Sequence, residues 1–268
     1  MKIHFAALIG VDYDLDLAPY WIRYYLDRRF DSYTAILHRE NGDIPAGIQA
    51  DYRNAGFRVL CADGPFSIGC QRSVRLNNLA DNLPPDDMLV TADADEFQSL
   101  KCDSPLDYRY FCNRYDILHG LHEDRYTLTL ENCYSDPFSQ YTLVEEYTGE
   151  HIKRIVTPFL DVNKSPELIR TKILAAKAGA PVEYKGSHCM KYVASNANIF
   201  YDCKVIHFAW RENVASKNAL KPYFSMDNLK QLHGNRVPDN LVEVYNTVES
   251  LLHPVEDFFG KGEHEYAL

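Results

Sequence analysis

The sequence predicts an α/β fold built on a Rossmann-like, mostly parallel sheet that is flanked by helices. Four strands are predicted at residues 3–9, 33–38, 57–61 and 88–92, and the first is a continuous apolar run of the kind that is buried on both faces. Helical patterns separate these strands, and the connections are too long for hairpins, which favours parallel pairing. With 268 residues, the chain is long enough to bury a full core in one domain.

The helices between these strands are predicted from capping residues and apolar spacing. The first follows a run of alternate aspartates that ends at Asp16, which we expect to cap it, and Pro19 falls in its first turn, where a missing N–H costs little. The second covers residues 48–55. The third opens at Ser67 or Gly69 and ends before two prolines. This alternation of strand and helix typifies a parallel sheet.

The second half of the chain is less regular and predicts a mixed region. Strands are expected at residues 108–112, 126–130, 141–144 and 204–210, with residues 120–125 separating the first two. Residues 165–178 fit a helix and a strand equally well. Two helices are expected to close the chain: a short one at residues 225–234, and an amphipathic one at residues 239–252.

Charge and composition exclude several kinds of partner. The formal net charge of −10 argues against nucleic acid and against an anionic membrane surface, which recruit proteins through dense Lys and Arg. The sequence contains no run of 18 apolar residues, so it predicts no integral membrane segment. The apolar N-terminal run is too short for a signal peptide. Seven cysteines without Cys-x-x-Cys spacing favour free thiols. We therefore expect a cytoplasmic protein.

Polar side chains follow the predicted parallel strands at their carboxyl ends. Asp12 follows the first strand, Asn41 the second and Asp63 the third, while Asp93 and Asp95 follow the fourth. Because these ends meet at one edge of the sheet, and ligands of such sheets bind there, we expect the residues to lie close together.

The acidic motif after the fourth strand has two readings. Asp93 and Asp95, with Glu96 beside them, could simply cap a following helix or turn. Clustered carboxylates also repel one another unless a cation or a proton offsets them, and oxygen ligands of this kind suit Mg²⁺ or Mn²⁺. The ligand-edge position favours a metal site at Asp93 and Asp95, and Glu96 is not expected to be a ligand.

The acidic motif and the segments around it resemble a known family. The order of elements and the motif Asp-x-Asp-Glu-Phe are similar to the GT-A glycosyltransferases, specifically the family 2-like group. The resemblance covers roughly residues 1–220, and it rests on Leu-Val-Thr-Ala-Asp-Ala-Asp-Glu-Phe at 89–97, Gly-Leu-His-Glu-Asp-Arg at 120–125, Lys-Ile-Leu at 172–174, Gly-Ser-His at 186–188 and Val-Ile-His-Phe-Ala-Trp at 205–210.

The resemblance implies an enzyme that transfers a glycosyl group. The donor would be a nucleotide sugar, UDP- or GDP-linked, and the acceptor a saccharide or another hydroxyl compound. Mn²⁺ or Mg²⁺ would offset the charge that develops on the leaving nucleoside diphosphate. Residues 1–268 would form one GT-A-like domain, with a nucleotide-binding half at about 1–100, an acceptor and metal half at about 101–220, and C-terminal helices at 221–268.

The same resemblance implies roles for individual residues. Candidate metal ligands are Asp93, Asp95, His207 and His188. Candidate contacts to the nucleotide sugar are Asp12, Asn41, Arg72, Asp93 and Lys172. The catalytic base that deprotonates the acceptor would be Asp124 or Glu123. Structural alternatives accompany each of these: an ion pair between Asp124 and Arg125, a purely structural strand-end histidine, and solvated surface charges at Arg72 and Lys172.

The sequence also departs from the family, and other functions compete. Related transferases commonly carry Asn-Glu after the first strand, where this chain has Gly-Val-Asp ending at Asp12. That difference allows a non-catalytic nucleotide- or carbohydrate-binding module. In a phosphatase of the haloacid-dehalogenase type, the Asp-x-Asp motif usually lies on the first strand and a small residue follows it. Here the motif follows the fourth strand, and Glu96 comes after it, which argues against this class. A sugar nucleotidyltransferase would normally show a basic, Gly-rich loop after the first strand, but the segment 10–14 is acidic.

Overall fold

The structure is a computed structural model. It describes residues 1–39, 41–63, 71–100, 108–127, 132–145, 171–180, 182–185, 189–192, 197–208, 211 and 252–254.

Twelve strands and five helices lie within the described residues. The strands are β1 Ile3–Gly10, β2 Ser32–Arg39, β3 Arg58–Asp63, β4 Met88–Asp93, β5 Glu96–Leu100, β6 Ile117–Tyr126, β7 Leu143–Glu145, β8 Thr171–Lys177, β9 Val182–Lys185, β10 Cys189–Tyr192, β11 Ile199–His207 and β12 Leu252–Pro254. The helices are α1 Ala18–Leu26, α2 Ala46–Asn54, α3 Gln71–Asp81, α4 Tyr108–Cys112 and α5 Pro137–Gln140.

The first four strands form a parallel sheet in the order β3-β2-β1-β4. β8 pairs antiparallel with both β4 and β6, so β6 runs in the same direction as the first four strands. β11 pairs parallel with β6 and antiparallel with β5, while β7 and β12 extend the sheet beyond β6. The predicted α/β fold, with a mostly parallel sheet and a mixed second half, is confirmed.

Helices pack against both faces of β1, which explains its largely apolar sequence. Along β1, odd-numbered side chains such as Phe5 join a core cluster with the aromatic residues of α1 and α2. Even-numbered side chains such as Leu8 pack instead with Leu76 of α3. Phe5 stacks on Tyr25 with ring centroids 4.3 Å apart. Because successive strand residues point to opposite faces, a strand between two helical layers is largely apolar along its length.

Two expectations for the second half are wrong. Tyr108–Cys112 is the helix α4, not a strand; its buried residues Tyr108, Phe111 and Cys112 recur at helical spacing, and a five-residue apolar run does not distinguish the two structures. Residues 120–125 do not separate two strands, because they lie inside β6. Gly120 allows the neighbouring strands to pack closely, and Glu123 pairs with Arg125 within the strand.

The remaining predicted elements can be compared with the structure where they fall within the described residues. The ambiguous segment 165–178 contains the strand β8 from Thr171 to Lys177. Of the strand expected at 126–130, Tyr126 is the last residue of β6, and residues 128–130 lie outside the described residues. The proposed start of the third helix and the helices at 225–234 and 239–252 lie outside the described residues, and none of the helices in the described ranges is long and apolar enough to cross a membrane.

Gly120 lies where β6 is held between β8 and β11, so a larger side chain should destabilise the sheet. A Cβ atom there would lie 2.6 Å from Leu174 Cδ1 and 3.2 Å from the backbone carbonyl carbon of Cys203. We expect Gly120→Ala to lower the free energy of unfolding by about 1–3 kcal/mol, measured by urea denaturation. Gly47→Ala is the matched control, because a Cβ at Gly47 of α2 meets nothing within 4 Å. Equal effects of the two substitutions would contradict this packing argument.

His119 makes the stability of the fold depend on pH. The side chain is 6% exposed, and its burial lowers the pKa to about 4. The unfolded chain therefore binds a proton at higher pH than the folded protein does. The resulting stability is complete above the unfolded pKa of about 6.5 and is lost as pH falls toward 4, by about 3 kcal/mol.

Urea denaturation at about pH 7.0, 6.0, 5.0 and 4.5 tests this dependence, because His119 of the unfolded chain takes up its proton over this range. His119→Leu should lose less stability than the natural protein between the first and last of these pH values, whatever its stability at neutral pH. Parallel losses in the two proteins would show that His119 is not the titrating group.

Candidate functional site

The site lies at the carboxyl ends of β1 and β4, which are neighbours in the sheet. The chain continues from β1 to β2 and β3 on one side, whereas β4 lies on the other side of β1. Leu8 pairs with Asp93 in register, so the turn that follows β1 lies beside the turn that follows β4. A crevice forms at such a reversal of strand order because the connecting segments diverge, and ligands of open α/β sheets bind there.

The acidic motif spans the junction of β4 and β5. Asp93 ends β4 and Glu96 begins β5, with Asp95 in the turn between them. Helix α1 holds this turn through its aromatic side chains: Trp21 Nε1 donates to the carbonyl of Asp93 and Tyr25 Oη to the carbonyl of Glu96, both at 3.0 Å. The motif is therefore a fixed strand–turn–strand and does not cap a helix.

Lys172 brings a buried positive charge to two of the three acidic side chains. Its Nζ lies 3.0 Å from Asp93 Oδ2 and also donates to Glu96 Oε2. Glu96 is completely buried and also accepts a hydrogen bond from the backbone N–H of Asp93 at 3.1 Å. Burial alone would lower the pKa of Lys172, but the two carboxylates outweigh it and hold that pKa above its usual value. Lys172 is a buried counter-ion rather than a solvated surface charge.

Asp95 pairs with His207, which ends β11. His207 Nε2 lies 3.4 Å from Asp95 Oδ2, and the backbone N–H of Phe208 donates to the carbonyl of Asp95 at 2.8 Å. Burial alone would raise the pKa of the Asp95 carboxyl, but His207 and the nearby Arg211 outweigh it and lower that pKa below its usual value. Asp95 is therefore charged throughout the physiological range.

Asp95, Glu96 and His207 each offer one potential ligand atom, and these atoms lie within 4.8 Å of one another. Two carboxylates and one imidazole match the ligand preferences of Mn²⁺ and, less closely, of Mg²⁺. This grouping differs from the sequence expectation, because it contains Glu96 and does not contain Asp93.

Arg211 is a member of the site that sequence reasoning missed. Its guanidinium is completely buried and lies 2.9 Å from Asp14 Oδ1 and 3.0 Å from Asp16 Oδ2. It also donates to the carbonyl of Phe208, next to His207. The alternate aspartates after β1 were the available signal, because buried acids require a cation.

Asp16 does not cap α1, contrary to the sequence expectation. The N-cap residue is Leu17, which makes no side-chain capping bond, and Asp16 Oδ2 accepts a hydrogen bond from the backbone N–H of Cys133 at 3.0 Å. The pairing with Arg211 and Cys133 places the carboxylate away from the start of the helix. Tertiary contacts outweigh a local cap, which contributes only about 1 kcal/mol.

The turn after β1 is closed by its own hydrogen bonds. The N–H of Gly10 donates to Asp14 Oδ2 at 3.1 Å, and the N–H groups of Tyr13 and Asp14 donate to the carbonyl of Gly10, both at 2.9 Å. Asp12 lies 3.4 Å from Arg39 at the end of β2, and Asn41 is exposed just beyond that strand. Asp12, one of the residues predicted at this edge, thus lies beside the carboxyl end of β2.

The two candidate bases lie on β6, beside the strand that carries His207. Asp124 pairs in register with His207. Glu123 contacts Arg125 at 2.6 Å and Lys204 at 2.9 Å. Burial alone would raise the pKa of Glu123, but these two cations outweigh it and hold that pKa below its usual value. The partner of Arg125 is therefore Glu123, and a carboxylate held in this way is a poor proton acceptor.

The side chains of three predicted site residues, Arg72, Asp124 and His188, lie outside the part of the chain that the structure describes. Arg72 belongs to α3 and Asp124 to β6, whereas His188 lies wholly outside the described residues. Their assigned roles stay predictions.

Replacing Lys172 should lower the free energy of unfolding far more than replacing a partly exposed lysine of the same strand. Lys172→Met leaves Glu96 buried without its cation, and we expect a loss of about 3–5 kcal/mol in the free energy of unfolding. Lys177→Met is the control: Lys177 also lies on β8 and pairs with Asp116 at 2.7 Å, but both side chains are partly exposed. Its loss should not exceed about 1 kcal/mol.

Urea denaturation of both variants measures this difference. The double variant Lys172→Met/Glu96→Gln should recover part of the lost stability, because it removes the uncompensated buried charge. Similar losses for Lys172→Met and Lys177→Met would contradict a buried counter-ion role.

Comparison with known proteins gives only distant structural similarity. No protein-family model matches the chain, and no curated protein matches it. The similar solved structures include S. aureus TarS, which is 13% identical with a TM-score of 0.38 over 98% of this chain and 45% of that chain. HddC from Yersinia pseudotuberculosis is 10% identical with a TM-score of 0.36 over 86% of this chain and 99% of that chain.

A Bacillus anthracis protein assigned as a glucose-1-phosphate thymidylyltransferase is 12% identical, with a TM-score of 0.30 over 46% of this chain and 55% of that chain. The chain thus spans about half the length of this protein and of TarS. With TM-scores below 0.5, these similarities establish neither a family nor an activity for this chain.

Proposed function

We propose that this protein transfers a glycosyl group from a nucleotide sugar to a hydroxyl acceptor, with Mn²⁺ or Mg²⁺ bound at Asp95. The observation that carries the proposal is the grouping of Asp95, Glu96 and His207 at the point where the strand order of a Rossmann-like sheet reverses. A cation site at that position lies where the phosphates of a nucleotide bind in folds of this kind.

Charge balance explains why a cation is needed. Asp12, Asp14, Asp16, Asp93, Asp95 and Glu96 all lie at or next to this edge. A nucleoside diphosphate would be repelled by this excess of carboxylates. A divalent cation held by Asp95 and His207 makes the charge at Asp95 itself positive, and it also offsets the negative charge that develops on the leaving diphosphate.

The position of Lys172 divides the acidic residues between two roles. Since Lys172 already binds Asp93 Oδ2 and Glu96 Oε2, those oxygens are oriented by a protein cation. Within the part of the chain that the structure describes, the ion-pair partner of Asp95 is His207, which is a weaker cation than lysine, and the Asp95 side chain is 19% exposed. We therefore assign the metal to Asp95 and His207, with Glu96 beside them, and assign Asp93 to the donor. At the ends of β1 and β2, Asp12 and Asn41 would contact the base or ribose of a UDP- or GDP-linked donor.

The position of Asp124 supports it as the catalytic base. Its backbone is next to His207 across the β6–β11 pairing, at the same edge as the cation site. Glu123 is held by Arg125 and Lys204, and a carboxylate with a lowered pKa accepts a proton poorly. Transfer would require Asp124 to take the proton of the acceptor hydroxyl as that oxygen attacks the anomeric carbon of the donor.

The turn after β1 argues against nucleotidyl transfer. Such enzymes hold a triphosphate with backbone N–H groups of a loop after the first strand. Here the N–H groups of Gly10, Tyr13 and Asp14 are bonded within the turn, and the side chain of Asp14 adds negative charge. This closed, acidic turn offers no cradle for phosphate.

Nucleotide binding should depend on both the cation and Asp95. We expect UDP or GDP with Mn²⁺ to raise the melting temperature of the protein, and expect EDTA to remove that increase, because a ligand that binds only the folded state stabilises it. Asp95→Asn should weaken this binding at least about tenfold, a loss of about 1.4 kcal/mol. Asp81→Asn, which alters an exposed carboxylate at the end of α3, should bind normally.

Turnover separates the transferase from the alternatives. A panel of nucleotide sugars with Mn²⁺ and candidate acceptors should give release of a nucleoside diphosphate, and Asp95→Asn should abolish that release. Nucleotide binding without turnover of any donor would indicate a non-catalytic binding module, and release of pyrophosphate would indicate nucleotidyl transfer. Equal nucleotide binding with and without EDTA would contradict the cation site.

A further inference from the structure

A second cluster of polar side chains lies at the amino ends of the parallel strands, opposite the carboxyl ends that carry the candidate site. Ser32 begins β2 and pairs in register with His4 of β1, and Asp87 directly precedes β4. His4 Nδ1 lies 2.7 Å from Ser32 Oγ, and His4 Nε2 lies 3.2 Å from Asp87 Oδ2. A hydroxyl, an imidazole and a carboxylate thus form one hydrogen-bonded series. None of them takes part in the site at the carboxyl ends of the strands.

Asp87 is fixed in place and charged. The backbone N–H of Lys2 donates to Asp87 Oδ1 at 2.6 Å, and the carboxylate is only 9% exposed. The hydrogen bond from Lys2 and the contact with His4 hold the pKa of Asp87 below its usual value. A charged carboxylate can only accept a hydrogen bond, so His4 Nε2 must carry a proton. In the neutral ring, Nδ1 then presents a lone pair to the hydroxyl of Ser32.

We infer that Ser32, His4 and Asp87 form a nucleophilic site that transfers acyl groups from small activated esters. Ser32 is exposed to solvent, whereas His4 is 18% exposed, so an ester can reach the hydroxyl while its base is shielded. The order nucleophile, base and orienting carboxylate, with both links at hydrogen-bond distance, is the arrangement that activates a serine.

The reaction that this geometry supports has two steps. Ser32 Oγ attacks the ester carbonyl, its proton passes to His4 Nδ1, and the carbon–oxygen bond to the leaving group breaks as that group takes up the proton. Water then attacks the acyl-serine, passing a proton to His4 Nδ1, and the carboxylic acid leaves as Ser32 recovers its proton. Asp87 keeps the imidazole oriented and stabilises its positively charged form.

This inference does not rest on the proposed glycosyl transfer, because the two sites occupy opposite edges of the parallel strands. The test uses the full chain with two probes: p-nitrophenyl acetate for turnover, and a fluorophosphonate that labels activated serines. We expect the label on Ser32, located by peptide mass spectrometry. We expect Ser32→Ala and His4→Gln to lower ester hydrolysis by about 100-fold, the scale of a general-base contribution.

Ser139→Ala is the matched control, because Ser139 is also exposed and its hydroxyl donates to the backbone carbonyl of Asp136 at 2.8 Å. This variant should hydrolyse the ester at the natural rate. Since Ser32 is on the surface, Ser32→Ala should keep its melting temperature, and nucleotide binding should be unaffected. Unchanged hydrolysis in Ser32→Ala, or labelling of other serines in place of Ser32, would overturn the inference.

Discussion

The buried contact of Lys172 with Asp93 and Glu96 is the interaction on which the rest of the site depends. Two carboxylates at the end of a buried strand would repel each other and would be expensive to remove from water. The ammonium group satisfies both, and it comes from β8, the antiparallel neighbour of β4. The same contact ties the parallel half of the sheet to the mixed half and fixes the turn that carries Asp95.

Charges at this edge are arranged in three linked groups. Lys172 pairs with the two carboxylates at the ends of the turn, and Arg211 pairs with Asp14 and Asp16 after β1, so each group keeps one net negative charge. Asp95 lies between these groups, with a histidine as its ion-pair partner. Because two full cations are committed to other carboxylates, Asp95 is the acid best placed to bind an added cation, and this division of charge supports the proposed metal role.

The direction of the strands explains why distant residues meet. β6 and β11 run parallel to β4, so the ends of all three strands reach the same edge. His207, more than a hundred residues after Asp95 in the chain, arrives there because it ends β11. The amino ends of β1 and β2 bring His4 and Ser32 together at the other edge by the same geometry. Each cluster is a product of register, not of proximity in sequence.

The sequence by itself determined the parallel half of the fold and the position of the acidic motif. Strands buried on both faces are largely apolar, and the carboxylates follow such a run, so both features are visible in local pattern. Only the tertiary structure decided that Lys172 is a buried counter-ion, that Arg211 belongs to the site, and that Asp16 does not cap α1. It also made residues 108–112 helical and residues 120–125 part of a strand. These outcomes depend on which distant element packs against a residue, and a short segment carries no record of its neighbours in the sheet.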